Sequence, residues 1–328
     1  RDDVESRGLG DVYKRQVFHE AISWMIQGVL WISRQSYGML TIGHVPFLWV
    51  LLFYFMTGLW IWKKNGQNRH IRISLAYVIM IILIWIPMAR RKSLAFLDVG
   101  QGDCFVADTK SGAIIFDGGS SSEDQVGRYR ILPYMKYLGY QKIQIAVISH
   151  MDIDHYSGIK ELLEMGKIKY LGLPEIPKDE TMKKIIGIAK KRGTTIFYLS
   201  RGRQITTKDG SLKVLHPQKN SQMEKNAASL VMQGKILGYR VLLTGDVEKE
   251  GEEELLSEEL ERADILKAAH HGSKNSTSNE FLQKVQPKQT VISCGKQNRY
   301  GHPHLETIHR LQTLSLIHIS EPTRLDVI

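Results

Sequence analysis

The stretch SHMDIDHYSG, residues 149–158, concentrates metal-binding side chains at the junction of two predicted elements. An apolar strand is predicted over residues 143–149 and a helix over residues 157–165. A loop between a strand and a helix can direct neighbouring side chains towards different ions, whereas a regular strand would send them to opposite faces. The candidate ligands are His150, Asp152, Asp154 and His155. A polar surface loop that caps the helix is the alternative interpretation.

Two later segments also deliver candidate ligands at strand ends. VLLTGD (residues 241–246) is an apolar strand that ends in Asp246, a carboxylate suited to bridging two cations. ILKAAHHGS (residues 265–273) is a strand followed by His270 and His271. Catalytic groups of α/β enzymes commonly lie on such loops. Divalent ions held there would supply Lewis-acid activation, so the pattern favours a hydrolytic metal centre.

The chain between residues 94 and 311 alternates between short apolar strands and helices. Helices that separate strands predict a layered α/β domain of about 220 residues. Two cysteines in 328 residues exclude a disulfide scaffold and leave too few thiolates for a zinc site made of cysteines. Cys104 and Cys294 are expected to be small core residues.

The N-terminal third, residues 17–92, is predicted to be a membrane region. Residues 45–62 and 73–88 are two uncharged runs flanked by lysine and arginine, and they predict membrane-spanning helices. Residues 17–32 show the apolar spacing of an interfacial helix or of a helix in a larger bundle. Two buried core helices are the alternative, but neither run has the polar face that such helices normally show.

Both ends of the chain look foreign to the protein. Residues 1–16 and 315–328 include the strings DVYKRQ and SLIHISEPTR, which resemble conceptual translations of sequencing-library adapters. Excluding them from the fold prediction places the α/β domain at residues 93–314. The native protein is expected to continue in both directions.

The formal net charge of +10 suggests an anionic partner, either nucleic acid or a lipid surface. Within the α/β domain, residues 178–219 carry 11 basic and three acidic side chains, whereas residues 246–264 carry two basic and ten acidic ones. We predict that the basic segment faces DNA, with a plain solvated helix as the alternative. Its candidate DNA-facing residues are Lys183, Lys184, Lys190, Lys191 and Arg192.

Seven segments, in chain order, resemble the metallo-β-lactamase-like domain of the ComEC family of DNA-uptake channel proteins. They are LDVGQGD (97–103), IFDGG (115–119), SHMDIDHYSG (149–158), NAASLV (226–231), LLTGD (242–246), LKAAHHGS (266–273) and YGHPH (300–304). The resemblance implies an αββα sandwich preceded by transmembrane helices, with a dinuclear site at one edge of the paired sheets. It implies one or two divalent ions, Zn²⁺, Mn²⁺ or Mg²⁺.

The same resemblance implies a ligand set. His150 and Asp152 would bind the first ion, and Asp246 would bridge both ions. The second ion would be bound by Asp154, His155 and one of His270 and His271. His270 is the preferred candidate, because it comes first after the strand.

The chain departs from the superfamily's commoner motif at Asp152 and Asn226, where histidines are usual. More oxygen ligands in the first site favour Mn²⁺ or Mg²⁺. Further candidates for ligands, or for residues that orient them, are His271, Asn226, Asp98 and Asp103. Candidates for catalysis or substrate binding are Asp154, Ser273, Lys274, His302 and His304. Asp117, before two glycines, is predicted to fix a turn.

The resemblance predicts a membrane-anchored nuclease domain of a DNA internalisation channel, which degrades or processes one strand of incoming DNA. The domain is expected on the external face of a bacterial membrane in a multi-pass protein. Its expected partners are DNA, the membrane and other DNA-uptake components. One alternative is a catalytically silent module that contains metal and docks DNA. Another is a metallo-hydrolase of small phosphodiesters.

Overall fold

The computed structural model describes residues 2–34, 41, 43–62, 71, 74–79, 92–224, 226–296 and 298–313. The chain forms two compact units, Arg1–Ile42 and Gly43–Ile328. The first unit contains helix α1 (Asp2–Arg34), which includes most of residues 1–16, the N-terminal segment predicted to be foreign to the protein. Between residues 15 and 33 its large apolar side chains, Phe18 and Trp24 among them, are exposed.

The second unit begins with an apolar helix, α2 (Phe47–Trp62), which covers 16 residues of the predicted span 45–62. Phe53 of α2 packs edge to face on Tyr77, with ring centroids 5.3 Å apart. Most of the other predicted span, 73–88, lies outside the described residues. Within the described part of the chain, none of the helices has the length and apolarity that crossing a membrane requires. The predicted transmembrane helix over residues 45–62 is therefore not supported.

Two six-stranded sheets follow, each with parallel and antiparallel pairs. The first has the order β1-β2-β3-β4-β5-β6, with strands β1 (Leu94–Phe96), β2 (Phe105–Thr109), β3 (Gly112–Phe116), β4 (Ile143–Val147), β5 (Ile168–Pro174) and β6 (Thr195–Leu199). The second has the order β12-β11-β10-β9-β8-β7, with β7 (Gln204–Thr207), β8 (Gly210–His216), β9 (Val231–Ile236), β10 (Tyr239–Leu243), β11 (Ile265–Lys267) and β12 (Gln289–Val291). Pairing is parallel from β3 to β6 and from β10 to β12.

Six helices of the second unit accompany these sheets. They are α3 (Leu132–Tyr137), α4 (Ile153–Glu164), α5 (Glu180–Lys191), α6 (Lys249–Leu256), α7 (Asn279–Val285) and α8 (Leu305–Thr313). A π-helical turn, Gly127–Ile131, leads into α3, and a 3-10 turn, Ala269–Gly272, follows β11.

Three layers of buried apolar side chains hold the helices and the two sheets together. Side chains of α3, α4 and α5 pack on one face of the first sheet, and those of α6, α7 and α8 pack on one face of the second. A third layer joins the inner faces of both sheets, and includes Phe105, Phe116, Val214 and Met232. Alternation along β10 shows the two faces: Leu243 belongs to the inner layer and Leu242 to the helix layer. The domain is thus an αββα sandwich, as predicted.

Helix α4 begins at Ile153, earlier than the predicted start at residue 157, so Asp154 and His155 lie in its first turn. Asp152 is the N-cap residue, with extended backbone angles. This first turn packs tightly against two glycines. A Cβ on Gly119 would lie 2.6 Å from the backbone nitrogen of His155, and one on Gly102 would lie 2.6 Å from the carbonyl oxygen of Asp154. These glycines let three loops meet at one edge of the sandwich.

Candidate metal centre

Four buried side chains converge where strands β1, β4, β10 and β11 end. Asp103, His155, Asp246 and His271 each offer one ligand atom, and these atoms all lie within 4.8 Å of one another. The closest approach is 3.1 Å, between His155 Nε2 and Asp246 Oδ2. His271 Nε2 lies 3.4 Å from the same carboxylate oxygen. Two imidazoles and two carboxylates are a donor set typical of divalent metal sites.

Asp117 fixes the orientation of His155. His155 Nδ1 lies 2.9 Å from Asp117 Oδ2, so this nitrogen donates to the carboxylate and Nε2 faces the cluster. The other oxygen of Asp117 accepts a hydrogen bond of 2.7 Å from the backbone nitrogen of Ser149. Asp117 therefore has a second role besides the turn predicted for it: it orients a metal-binding histidine through a hydrogen bond.

The paired histidines point to different places. The backbone of both His270 (φ 48) and His271 (φ 52) is left-handed, which is uncommon for residues other than glycine. His271 Nδ1 donates to the carbonyl oxygen of Ser293 at 2.8 Å, and its Nε2 faces the cluster. His270 instead places Nδ1 2.8 Å from Glu248 Oε1, with Nε2 3.9 Å from Asp246. The geometry thus favours His271 as the ligand, contrary to the preference for His270.

The remaining residues of the HMDIDH segment surround the cluster. Asp154 Oδ2 lies 3.4 Å from His271 Nε2, close enough for Asp154 to share an ion with it. The ring of His150 is buried, 4.1 Å from that of His155. His150 Nε2 lies 3.6 Å from a carboxylate oxygen of Asp152, whose side chain is 39% exposed. His150 therefore packs against the four-residue cluster through His155, and Asp152 contacts His150 from a partly exposed position.

Lys267 is a buried cation beside the cluster that the motif analysis did not single out. Its ammonium forms an ion pair with Asp103, lies 3.7 Å from Asp246 Oδ1 and donates to the carbonyl oxygen of Gly245. Burial lowers the pKa of Lys267, but Asp103 and Asp246 raise it by more, so the ammonium stays charged. The sequence feature that could have indicated its role is a lysine next to apolar residues in the short buried strand β11.

Both carboxylates of the cluster stay ionised. Burial raises the pKa of Asp246, but the facing His155 and His271 outweigh it and hold that pKa well below its usual range. Burial likewise raises the pKa of Asp103, and Lys267 and His271 lower it by more. With Asp154 included, three carboxylates face two imidazoles and one ammonium. Burial lowers the pKa values of His155 and His271, but the facing carboxylates raise them by more, so a metal ion at this cluster would take the place of imidazole protons.

Unpaired polar atoms in the cluster also fit a metal ion. His155 Nε2, His271 Nε2 and Asp246 Oδ1 are buried and have no hydrogen-bond partner. Buried polar atoms are normally hydrogen-bonded, and an ion is one of the groups that can satisfy those that are not. The residues present therefore fit a divalent ion held by Asp103, His155, Asp246 and His271.

The YGHPH segment adds two more imidazoles at the edge of the site. The His302 ring lies 5.4 Å from that of His270 and 6.3 Å from that of His271, between centroids. Burial, together with the neighbouring His270, His271 and His304, lowers the pKa of His302 to about 4. His304 accepts a hydrogen bond from the backbone nitrogen of Lys274 at Nδ1.

A cavity of about 930 Å³ adjoins the paired histidines through Glu248. Asn226, Lys274 and Arg310 line it together with several acidic side chains. The predicted candidates Asn226 and Lys274 therefore lie in this cavity and outside the four-residue cluster. Ser273 is buried, and its hydroxyl accepts from the backbone nitrogen of Asn275, so it supports the loop.

Two other groups of predicted residues lie elsewhere. Asp98 is exposed and caps a turn through a hydrogen bond from the backbone nitrogen of Gly100. The basic residues lie on α5 and at its C-terminal end, with their side chains exposed: Lys183, Lys184, Lys190, Lys191 and Arg192. Helix α5 packs on the first sheet through Met182, Ile185 and Ala189. The DNA-facing role of the basic residues stays a prediction.

Comparison with known proteins places this geometry in a family. Residues 97–296 match the family described as the Metallo-beta-lactamase superfamily. ComE operon protein 3 of Bacillus subtilis (strain 168) is 34% identical over 274 residues, which cover 77% of this chain and 35% of that protein. Recombination protein 2 of Haemophilus influenzae is 27% identical over 252 residues, which cover 76% of this chain and 30% of that protein. Competence protein ComA of Neisseria gonorrhoeae is 30% identical over 216 residues, which cover 63% of this chain and 27% of that protein.

The chain spans about a third of the length of these relatives. The match of residues 97–296 contains the loops that bring Asp103, His155, Asp246 and His271 together. On the sequence match and the αββα architecture, the chain belongs to the metallo-beta-lactamase superfamily, and its homologues include proteins named for competence and recombination.

Proposed function

We propose that the sandwich is a metal-dependent phosphodiesterase that cleaves DNA, as the nuclease part of a DNA-uptake protein. The observation that carries the proposal is the buried cluster Asp103, His155, Asp246 and His271, whose imidazoles are already oriented. The superfamily consists mostly of metal-dependent hydrolases. Hydrolysis here adds water to the phosphorus and breaks one P–O ester bond, which leaves a phosphomonoester and an alcohol.

The roles of the residues follow from their contacts. Asp103, His155, Asp246 and His271 would hold the ion, with Asp154 beside them. A bound divalent ion would supply Lewis-acid polarisation of the phosphodiester and activation of water. Asp117 keeps His155 in the tautomer whose Nε2 faces the site. Lys267 offsets part of the carboxylate charge. The mixed nitrogen and oxygen donor set suits Mn²⁺ or Zn²⁺, and Mg²⁺ less well.

DNA is the proposed substrate because the homologues carry names from competence and recombination. The exposed basic side chains of α5 and the cavity wall with Lys274 and Arg310 offer cations for phosphate groups. Other DNA-uptake components are the proposed protein partners.

We extend the proposal to the membrane and to the outer side of the cell. Helix α2 is free of charged residues, and side chains such as Phe47, Leu48 and Tyr54 are at least two-thirds exposed. An exposed apolar surface of this kind is suited to lipid. Flotation of the full chain with lipid vesicles should recover it in the vesicle fraction. Recovery at the bottom of the gradient would contradict membrane association.

A cleavage assay on the full chain tests the nuclease proposal. Single-stranded DNA is incubated with the protein and Mn²⁺, Mg²⁺ or Zn²⁺. The adjacent histidines supply a matched pair of variants, because His271 lies in the cluster and His270 contacts Glu248. We expect His271→Ala to lower kcat/KM at least about 100-fold, because it removes a ligand. His270→Ala should lower it less than about tenfold. Equal cleavage by both variants would overturn the ligand assignment.

The alternative is a catalytically silent module that docks DNA and keeps the metal for structure. The observation that favours it is Lys267, whose ammonium occupies the side of the cluster next to Asp103 and already neutralises part of its charge. DNA that binds but stays intact with each of the three metals would support docking and overturn the nuclease proposal.

A further inference from the structure

Most of the exposed large apolar side chains in the described part of the sandwich lie in the sequence segments that carry site residues. Among the described residues between 92 and 313, they are Tyr129, Ile153, Tyr300 and Leu305. Ile153 lies between Asp152 and Asp154, and Leu305 directly follows His304. Three of the four therefore belong to the segments that carry the site residues. A hydrolytic site that binds only water and phosphate groups does not need exposed apolar side chains. Their presence therefore indicates a substrate with an apolar surface.

Tyr300 is connected to the cluster by a series of rings. Its ring stacks on that of His302, with centroids 5.7 Å apart and an angle of 23° between the planes. His302 in turn lies 6.3 Å from His271, and those two planes differ by 29°. The Tyr300 ring therefore lies at most about 12 Å from the His271 ring, between centroids. At roughly 3.4 Å per nucleotide of a stacked strand, this distance corresponds to at most about three to four nucleotides.

Arg299 adds a cation to this aromatic surface. Its guanidinium lies 4.9 Å from the centroid of the Tyr300 ring, and one of its nitrogens donates to the Tyr300 hydroxyl at 2.7 Å. The hydrogen bond to Tyr300 raises the pKa of Arg299, and the carboxylate of Asp154 contributes to the rise. The guanidinium lies against the Tyr300 ring and is exposed to solvent, so it can contact a phosphate.

We propose that the Tyr300 ring is a base-stacking platform for single-stranded DNA, that Arg299 beside it contacts a phosphate of the same strand, and that a phosphodiester of this strand lies at the metal centre. Tyr300 is 45% exposed, and every base has a π-face, so an unpaired base can stack on the exposed part of the ring without its identity being read. Bases within a duplex are already stacked, and they are not available to Tyr300. The platform thus selects an unpaired strand of any sequence. This inference rests on the proposed function, because it takes DNA as the substrate.

Binding of two strands that differ only in their bases tests the platform. Fluorescence anisotropy of the full chain in EDTA compares a short oligothymidylate with an abasic sugar–phosphate strand of the same length and charge. The wild type should bind the strand with bases about tenfold more tightly, equivalent to about 1.4 kcal/mol. Tyr300→Ala should remove that difference by weakening only the strand with bases. Tyr300→Phe should keep it, because the ring remains.

Two further variants separate stacking from other effects. Tyr129→Ala is the matched control, because Tyr129 is an exposed tyrosine on the turn Gly127–Ile131, and it should bind like the wild type. Arg299→Gln should weaken binding of both strands equally, since a phosphate contact does not depend on the base. The platform is overturned if the wild type does not distinguish the two strands, or if Tyr300→Ala distinguishes them as well as the wild type does.

The cleavage assay shows which proposal has failed. If the wild type cuts DNA but does not distinguish the two strands, the nuclease proposal stands and the platform is wrong. If Tyr300 accounts for a preference for bases but no metal supports cleavage, the nuclease proposal is wrong and the platform belongs to a docking module.

Discussion

His155 and His271 present their Nε2 atoms to the cluster because each Nδ1 is held by an acceptor on a neighbouring segment. The acceptor is the Asp117 carboxylate for His155 and the Ser293 carbonyl for His271. Both tautomers are thereby set before any ion binds, which lowers the cost of organising the site. At the scale of single residues, metal affinity thus depends on side chains that do not touch the ion.

Asp117→Asn tests this dependence with little disturbance of the backbone. Asparagine tolerates the left-handed backbone of Asp117 (φ 56), and its amide oxygen can still accept from Ser149. The charge facing His155 is lost, so we expect Mn²⁺ affinity to fall about 10- to 100-fold in isothermal titration calorimetry. Asp98→Asn, at an exposed turn, is the control and should bind Mn²⁺ like the wild type. Equal affinities of the two variants would show that Asp117 does not position His155.

At the scale of elements, the position of the site follows from strand ends and tight loop contacts. The alternation of strands and helices was sufficient to predict a layered α/β domain, whereas the αββα order came from the family resemblance. The strand before His150 was predicted to end at residue 149 and ends at Val147. The choice between His270 and His271 could not be predicted, because two consecutive left-handed residues reverse the expected direction of the side chains. Asp103 was only a secondary candidate, because its place in the cluster depends on a contact between loops about 50 residues apart in sequence.

The contact between the Gly119 loop and α4 predicts a large stability difference between two Gly→Ala variants. A Cβ on Gly119 would overlap the backbone of Asp154 and His155, so Gly119→Ala should destabilise the domain by about 3 kcal/mol. Gly187 on α5 has no atom within 4 Å of its Cβ position, and Gly187→Ala should stabilise by about 1 kcal/mol. Urea denaturation measures both. A neutral Gly119→Ala would mean that the loop can move away from α4.

If the basic surface of α5 binds DNA, it should contribute to the salt dependence of DNA affinity. If its five basic residues contact phosphates of a single strand, each adds about 0.7 to the slope of log affinity against log salt concentration. Replacing all five by glutamine should therefore reduce the slope by up to about 3.5. The reduction should be smaller if Lys183 remains paired with Glu180, whose carboxylate lies 2.8 Å from the ammonium. Anisotropy titrations over a range of salt concentrations measure the slope, and an unchanged slope would place α5 away from the DNA.

At the scale of the whole sandwich, both sheets contribute to the metal cluster. Asp103 and His155 come from loops of the first sheet, and Asp246 and His271 follow strands of the second. Further contacts join the same two halves, since Ser293 Oγ donates to the carbonyl oxygen of Gly102, and Gln101 Oε1 accepts from the backbone nitrogen of Gly295. An ion held by all four side chains would therefore link the two halves of the sandwich and be lost on unfolding.

Metal binding should consequently raise the thermal stability of the sandwich. Free Mn²⁺ at 100 times its Kd adds about 2.7 kcal/mol to the free energy of unfolding. For a domain of this size, that shifts Tm upwards by about 5–10 °C. His271→Ala should lose most of the shift because one ligand of the second sheet is gone, whereas His270→Ala should retain it. Differential scanning calorimetry with Mn²⁺ and with EDTA measures the shift. A Tm that saturating Mn²⁺ leaves unchanged would show that Mn²⁺ does not link the two sheets.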